Sequence, residues 1–430
     1  MSAVPAPERA ATFASLGLPE VLVRTLARRG MHAPFAIQTA ALPDALAGRD
    51  VLGRAQTGSG KTLAFGLPLL TRLAAGHRGS TKPRGLVLVP TRELAMQVHD
   101  ALAPLGQPMG IKLVVVVGGA PMGKQISALR AGVDIVIATP GRLEDLIEQR
   151  VCDLSQVEIA VLDEADHMAD LGFLPPVRRL LDQVRPGGQR LLFSATLDSA
   201  VQTLVNAYLV DAVTHETTPV GAAVTAMAHH LLVVTPADRA AVVAEIASRE
   251  GRTLMFVRTK HGADRLTKQL RRVGVSAGAL HGGKTQAART RTLADFREGR
   301  VPVLVATDVA ARGIHVDDVD LVVHVDPAAD HKDYLHRAGR TARAGASGTV
   351  VTLVSHGEER PVAKMTRLAG VRAQSTRVAP GASELSRVTG SRVPSGVAIA
   401  EAPVAPKRAP RPARPGGAHP KRPFHSRRSR

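Results

Sequence analysis

The 430-residue sequence has little cysteine, few aromatic residues and no long apolar run, and each absence excludes a class of protein. Its single cysteine, Cys152, cannot form an internal disulfide or a thiolate zinc site, which fits a reducing compartment. No apolar run reaches the roughly 18 residues of a membrane span, and no secretory signal is recognisable. Aromatic residues make up 2%, which argues against recognition of nucleic acid by rows of stacked bases.

Positive charge is present in excess, because the formal net charge is +19. From Ala373 to Arg430 there are twelve Lys or Arg residues against Glu384 and Glu401, which gives +10, and the other residues carry the remaining +9. A basic tail on a moderately basic body indicates a polyanionic partner, nucleic acid before membrane, with a merely solubilising tail as the alternative. If RNA is the partner, contacts to phosphate and sugar should dominate its binding.

Short apolar runs alternate with helical patterns over the first 210 residues, and the alternation restarts after a weakly periodic stretch. We therefore predict an α/β protein with two doubly wound parallel-sheet domains. The first domain is residues 1–209, a linker is 210–228, the second domain is 229–372, and 373–430 is a disordered Arg/Pro-rich basic tail. The predicted strands are 50–53, 85–89, 112–117, 134–138, 159–162, 190–193, 231–234, 253–257, 301–306, 321–325 and 348–354.

Residues 55–62 (AQTGSGKT) form a phosphate-binding motif between a predicted strand and a predicted helix. Its glycines let backbone N–H groups face phosphate oxygens, and the helix N-terminus adds the positive end of its dipole. Lys61 would reach the β- and γ-phosphates, and the Thr62 hydroxyl would hold Mg²⁺. The first glycine of the general motif is Ala55 here. The residues predicted to bind the nucleotide are Thr57, Gly58, Ser59, Gly60, Lys61 and Thr62.

Two adjacent acids, Asp163 and Glu164, end the apolar run 158–162. Carboxylates at the end of a strand suit magnesium-dependent phosphoryl transfer, although such a pair also serves as an ordinary helix cap. Asp163 would hold the metal ion through water. Glu164 would orient and deprotonate the attacking water.

Residues 163–166 (DEAD) resemble the motif that names the DEAD-box ATP-dependent RNA helicases. The sequence also resembles that family, in the same order, at residues 90–95, 139–142, 194–196, 306–313 and 336–343. The similarity covers Phe13 to Arg372, and the richness in Ala and Arg with a basic tail indicates the bacterial type. The resemblance implies two tandem RecA-like domains that close on ATP and Mg²⁺. They would locally unwind or remodel RNA duplexes and RNA–protein complexes.

The resemblance also implies how adenine is recognised. Residues 30–38 are similar to the family's adenine motif, in which Gln38 would read the edges of the base, and Phe13 stands where the family keeps an associated aromatic residue. Met31 and Phe35 depart from the usual Phe and from the usual Thr or Ser. One hydroxyl contact to adenine is therefore expected to be missing.

The second domain is expected to complete the ATPase. Arg340 and Arg343, one turn apart on one helix face, resemble the arginine fingers that stabilise charge on the γ-phosphate. Asp308 would help to organise the nucleotide, and His315 stands where the family usually has an aspartate near the ribose. The residues expected to couple the two domains are Asp166, Ser194, Thr196, His336 and Arg337, with His336 and Arg337 contacting the acidic motif and its neighbours.

RNA contacts are implied after strands of both domains, where N–H groups and arginines meet phosphate oxygens. Each such residue taken alone is more simply a helix cap or a surface arginine. The residues are Thr91, Arg92, Gly119, Thr139, Arg142, His281, Arg289 and Thr307.

The predicted protein is a cytoplasmic monomer that binds RNA without sequence preference, through phosphate and 2′-OH groups, and contacts no membrane. Ribosomal or RNA-decay proteins are candidate partners. Two alternatives stay open. An RNA-binding annealing chaperone with weakened catalysis is opposed by Lys61, Glu164 and Arg340 but is kept open by His315. A DNA-directed helicase of the same superfamily is opposed by Asp166 and the Gln38 motif.

Overall fold

The computed structural model describes residues 11–55, 58–76, 81–217, 227–311, 319–341 and 348–399. In this part of the chain two α/β lobes follow one another, each built on a seven-stranded sheet in which every strand pair is parallel. The predicted fold class is confirmed. No helix within the described ranges has the length and apolar character to cross a membrane.

The first lobe holds seven strands, paired in the order β3-β4-β2-β5-β6-β1-β7. In chain order they are β1 (Val51–Arg54), β2 (Gly85–Leu88), β3 (Leu113–Val116), β4 (Ile135–Ala138), β5 (Ile159–Asp163), β6 (Gln189–Ser194) and β7 (Val213–Glu216). The helices are α1 (Glu20–Arg28), α2 (Ala36–Leu46), α3 (Lys61–Ala75), α4 (Arg92–Gly106), α5 (Met122–Arg130), α6 (Pro140–Glu148), α7 (Ala165–Asp170), α8 (Leu174–Leu181) and α9 (Ser199–Tyr208), with a short 3₁₀ turn at Gln107–Met109.

The second lobe repeats this topology strand for strand, in the order β10-β11-β9-β12-β13-β8-β14. Its strands are β8 (Ala228–Val233), β9 (Thr253–Phe256), β10 (Ala277–Leu280), β11 (Val303–Ala306), β12 (Leu321–His324), β13 (Thr349–Val354) and β14 (Gln374–Arg377). Its helices are α10 (Arg239–Ala247), α11 (Lys260–Arg272), α12 (Gln286–Arg297), α13 (Asp308–Ala311), α14 (His331–Ala338), α15 (Glu359–Leu368) and α16 (Ser383–Thr389).

Central strands are apolar throughout because helices cover both faces of each sheet. Leu86 and Leu88 of β2 belong to one core cluster, while Val87 between them belongs to the cluster on the other face. In the second lobe Met255 is likewise separated from Leu254 and Phe256. Since all strands run parallel, the loops after their carboxyl ends meet at one edge of each sheet, which is where such sheets bind ligands.

The structure corrects the predicted boundaries at two places. Strand β7 lies in the predicted linker and pairs with β1, so the first lobe continues to Glu216. Strand β14 and helix α16 lie in the predicted disordered tail, and β14 pairs with β8. The prediction of disorder is therefore wrong for residues 373–399, while residues 400–430 lie outside the described ranges. In both strands most residues are polar and at least two of the four are exposed, because an edge strand needs no continuous apolar run.

Candidate active site

The phosphate loop leaves the carboxyl end of β1 and enters α3. Gly58 and Gly60 both have φ of 89°, a left-handed conformation that favours glycine. Lys61 begins α3 and is buried, and its Nζ donates to the backbone carbonyl of Ala55 at 2.9 Å. Thr62 follows in the first turn, half-buried. The ammonium group thus closes the loop on itself. Thr57 lies outside the described residues.

The predicted adenine motif lies directly beside this loop. The buried Gln38 accepts from the N–H of Phe35 through Oε1 and donates to the carbonyl of Gly60 through Nε2, both at 2.9 Å. The amide of Gln38 thus links the start of α2 to the phosphate loop. To bind the edge of an adenine, the amide must exchange these hydrogen bonds for bonds to the base. Phe13 is buried in the core of the first lobe, whereas Phe35 is 54% exposed. A Cβ on Gly60 would come within 2.8 Å of the Phe35 ring, which places that ring at the loop.

The two acids lie at the end of β5, both almost completely buried. Glu164 turns the chain into α7 with φ of 53° and ψ of 52°, a conformation that costs a non-glycine residue free energy and is common at functional sites. Burial raises the pKa of Asp163 to about 7, although Lys61 acts to lower it. Burial would also raise the pKa of Glu164, but His167, Arg340 and Lys61 hold it well below its usual value. Glu164 is therefore ionised, as a general base must be.

His167 is a partner of Glu164 that sequence reasoning missed. Its Nδ1 lies 2.8 Å from Oε2 of Glu164, and both side chains are at most 3% exposed. The imidazole ring packs edge-on against the ring of His336 from the second lobe, with 4.2 Å between centroids. The signal that could have found it is the i,i+3 spacing from Glu164 at the start of a helix.

Asp166 is the centre of a hydrogen-bond network that reaches both lobes. Its N–H donates to Oγ of Ser194 at 3.2 Å, and its Oδ2 accepts from the N–H and the hydroxyl of Thr196 at 2.9 and 3.0 Å. Nε2 of His336 lies 4.0 Å from the same oxygen. The structure thus brings together four of the five residues predicted to couple the domains.

Arg337 is the fifth, and the prediction that it contacts the acidic motif is wrong. Its guanidinium donates to both carboxylate oxygens of Asp308, at 2.5 and 2.8 Å, and to the carbonyl of Asp326 at 2.7 Å. It also lies 5.1 Å from the centroid of the Phe256 ring. All these partners belong to the second lobe, because the side chain points into its own core. Asp308, predicted to organise the nucleotide, has both oxygens engaged by Arg337.

Arg340 carries a positive charge from the second lobe to the acids of the first. It is buried and close enough to Glu164 to lower the pKa of that carboxyl. Its predicted place on a helix face is wrong, because α14 ends at Ala338 and Gly339, a poor helix former, follows directly. Arg343 and His315 lie outside the described residues.

A groove with a volume of about 310 Å³ runs between the two lobes at their strand ends. Five of the eight predicted RNA contacts line it, namely Thr91, Arg92, Thr139, Arg142 and Arg289. Residues that also line it include Glu93, Phe173, Lys284, Gln286 and Val309.

Gly119, His281 and Thr307 are not among the residues that line this groove, and their contacts to RNA stay predictions. A Cβ on Gly119 would overlap the guanidinium of Arg92, so this glycine, with φ of 72°, makes room for the arginine. His281 is buried, and its Nε2 lies 3.1 Å from Asp264.

An ion pair across the groove holds the lobes together. Oε1 of Glu93 accepts from Nε of Arg289 at 2.8 Å and from Nε2 of Gln286 at 3.0 Å, and the pair is about 90% buried. Lys332 also donates across the lobes to Asp198 at 2.7 Å. Arg142 forms an ion pair with Asp145 of its own helix, with 3.4 Å between Nε and Oδ2, but its buried Nη1 makes no hydrogen bond within the described residues. That atom is a ready donor for a phosphate oxygen.

Two protein families match this chain. Residues 35–204 match the family described as DEAD/DEAH box helicase, and residues 238–345 match the one described as Helicase conserved C-terminal domain. DEAD-box ATP-dependent RNA helicase 30 of Arabidopsis thaliana is 40% identical over 385 residues, which cover 88% of this chain and 65% of that protein. ATP-dependent RNA helicase DBP2 of Scheffersomyces stipitis is 41% identical over 82% of this chain and 68% of its own length. The chain thus spans about two thirds of these relatives.

Solved structures with the same two lobes are also similar. S. cerevisiae Dbp5 bound to RNA and ADP BeF3 is 31% identical, with a TM-score of 0.76 over 86% of this chain and 96% of that one. Mss116p bound to ssRNA and AMP-PNP is 26% identical, with a TM-score of 0.78 over 89% and 82%. The named curated relatives are a plant and a yeast protein, so the bacterial type stays a prediction.

Proposed function

Because the chain belongs to the DEAD/DEAH box helicase family, we propose that it is an ATP-dependent RNA helicase. It unwinds or remodels RNA duplexes and RNA–protein complexes locally, when both lobes close on ATP and on one strand. The similar structures that contain RNA together with a nucleotide analogue support this substrate pair. We further propose that it works in the cytoplasm as a monomer.

ATP binds at the loop that ends in Lys61, whose ammonium exchanges the carbonyl of Ala55 for phosphate oxygens. Glu164, held ionised by its cationic neighbours, orients the attacking water and accepts its proton. Arg340 offers positive charge to the γ-phosphate as negative charge develops on its oxygens. Catalysis therefore depends on bringing a second-lobe cation to a first-lobe site.

Mg²⁺ fits the residues at this site. The hydroxyl of Thr62 and the carboxylate of Asp163 are oxygen donors, the kind that this ion prefers, and Asp163 makes no ion pair within the described residues. Bound with ATP, the ion would neutralise phosphate charge. Asp163 would hold it, and the same ion would favour the ionised form of this buried carboxyl.

The groove between the lobes is the proposed place of the RNA strand. The unpartnered Nη1 of Arg142 and the guanidinium of Arg92 are donors for phosphate oxygens. Such contacts carry little sequence information, and 2′-OH contacts distinguish RNA from DNA. Closing the lobes on one strand excludes its paired partner, and ATP hydrolysis then releases it.

One observation carries the proposal: residues of both lobes meet at two places at once. His336 and Arg340 reach the acids of the ATPase site, and Arg289 reaches Glu93 in the groove. A movement that separates the second lobe as a whole from the first opens both junctions. Nucleotide state and strand binding are therefore coupled through the second lobe.

The test compares ATP hydrolysis without nucleic acid, with an RNA, and with a DNA of the same sequence, in the parent and in Glu164→Gln. We expect stimulation by RNA only, and we expect Glu164→Gln to abolish turnover while ATP-dependent RNA binding persists. Glu148→Gln, an exposed glutamate of the same lobe, is the matched control. Equal stimulation by DNA would favour a DNA-directed helicase, and unwinding or annealing unchanged by Glu164→Gln would favour a chaperone.

A further inference from the structure

Helix α11 of the second lobe presents a solvent-facing row of basic side chains that the ATPase and the groove do not use. His261, Arg265, Lys268 and Arg272 are all exposed, while Ala263, Thr267 and Leu270 face the core. At 100° per residue the four exposed residues fall within about 60° of one another around the helix. They therefore form one stripe, which we call the α11 basic face.

The charge of the α11 basic face is not neutralised by neighbouring acids. None of its four residues makes an ion pair within the described ranges of the chain. The helix has one acid, Asp264, which pairs with Nζ of Lys284 at 2.7 Å and lies 3.1 Å from His281. Arg265, Lys268 and Arg272 thus form a row of exposed cations without ion pairs, and a polyanion lying along them would relieve their mutual repulsion.

One end of the α11 basic face meets the rim of the groove. Asp264 is bound to Lys284, and Lys284 and Gly282 line the groove itself. The side chain of Lys260 also approaches Gly283, within 3.8 Å of where a Cβ would stand. The first turn of α11, where the α11 basic face begins at His261, therefore lies beside the rim of the groove.

The other end of the α11 basic face is where the basic C-terminal segment begins. The N–H of Ile399 donates to the carbonyl of Arg271 at 2.8 Å, and the N–H of Gly396 donates to that of Val273 at 3.0 Å. Residues 400–430 follow directly and contain nine Lys or Arg residues against one acid, Glu401.

We propose that the α11 basic face binds the phosphate backbone of the RNA that extends beyond the groove. The inference rests on the proposed RNA-dependent function. The helix is about 18 Å long from Lys260 to Arg272, enough for about three phosphates of one strand. Charge complementarity favours a polyanion as the occupant, and the position beside the groove favours RNA over an acidic protein. The contacts are to phosphate and so carry no sequence preference.

The test uses the full chain with Arg265→Gln, Lys268→Gln and Arg272→Gln combined. Each replaced side chain is exposed and unpaired within the described residues, so the fold should not change. Binding of a short oligouridylate that only fills the groove is compared with that of oligouridylates extended by about ten nucleotides on the 5′ or the 3′ side. The matched control is Arg360→Gln, Lys364→Gln and Arg367→Gln on α15, which removes the same charge from another exposed face of the same lobe.

We expect the α11 variant to bind one of the extended RNAs about 10- to 100-fold more weakly at 0.1 M salt, with a salt slope smaller by about 2. Binding of the short RNA should stay within about twofold, and the α15 control should change neither. Unchanged binding of both extended RNAs would refute the proposal, as would an equal loss in the α15 control or with the short RNA. ATPase stimulation by the short RNA reports on the proposed function separately, since it does not need the α11 basic face.

Discussion

Replacing His167 tests whether Glu164 needs a positioning partner. The carboxylate of Glu164 can only accept, so Nδ1 of His167 carries the proton and donates across 2.8 Å. His167→Leu fills the buried space with an apolar side chain and leaves Oε2 of Glu164 without this hydrogen bond. Hydrogen bonds to charged groups are worth about 1.5–3 kcal/mol. If all of this falls on the transition state, kcat decreases by about 10- to 150-fold.

His167→Asn is the matched variant, because its side-chain amide can donate from nearly the position of Nδ1. We expect it to recover most of the lost kcat. KM for ATP should change little in either variant, because His167 makes no described contact to the phosphate loop. The assay is steady-state ATP hydrolysis at saturating RNA, with the melting temperature measured alongside.

Two results would refute this reasoning. One is a kcat for His167→Leu within twofold of the parent, which would show that Glu164 keeps its orientation without the imidazole. The other is an equal loss in His167→Leu and His167→Asn together with a lower melting temperature. That pattern would show that His167 stabilises the packing of the lobe and does not position Glu164 as the general base.

Three further predictions concern buried groups elsewhere. Glu93→Gln or Arg289→Met alone should weaken ATP-dependent RNA binding by about 3 kcal/mol, because each leaves one buried charge without its partner. The double variant leaves neither charge, so its loss should be smaller than the sum of the two single losses. Additive losses in this double-mutant cycle would contradict the prediction. Burial holds the pKa of His324 well below its usual value, so as pH falls below about 6.5 the unfolded chain takes up a proton that the native state does not. The free energy of unfolding should therefore fall by up to about 1.4 kcal/mol per pH unit there, and urea titrations of His324→Leu should show a shallower dependence. Burial raises the pKa of Cys152 to about 12, so iodoacetamide at pH 8.5 should label it only after unfolding, and rapid labelling of the native protein would count against its burial.

Sequence reasoning found the central strands because burial on both faces demands continuous apolar runs there. It missed β10, whose residues Ala277–Leu280 include two alanines and a glycine and no β-branched residue, and the polar edge strands β7 and β14. The phosphate loop was equally predictable, since its left-handed positions need glycine. The central strands and the phosphate loop are both short stretches of chain, and the local backbone geometry of each restricts which residues can stand there.

Side-chain pairings far apart in the chain could not be predicted this way. Glu93 and Arg289 are 196 residues apart, and nothing in either motif indicates that they pair. Arg337 and His336 are neighbours in sequence, yet one turns into its own lobe and the other faces the acidic motif.

By itself, then, the amino-acid sequence determined the two-lobed α/β architecture and the chemistry of each loop, because periodicity and glycine positions act over a few residues. Only the tertiary structure decided which charges meet, including His167 with Glu164 and the α11 basic face with the rim of the groove. The physical reason is that an electrostatic contact depends on distance and burial, and both are set by how the lobes pack.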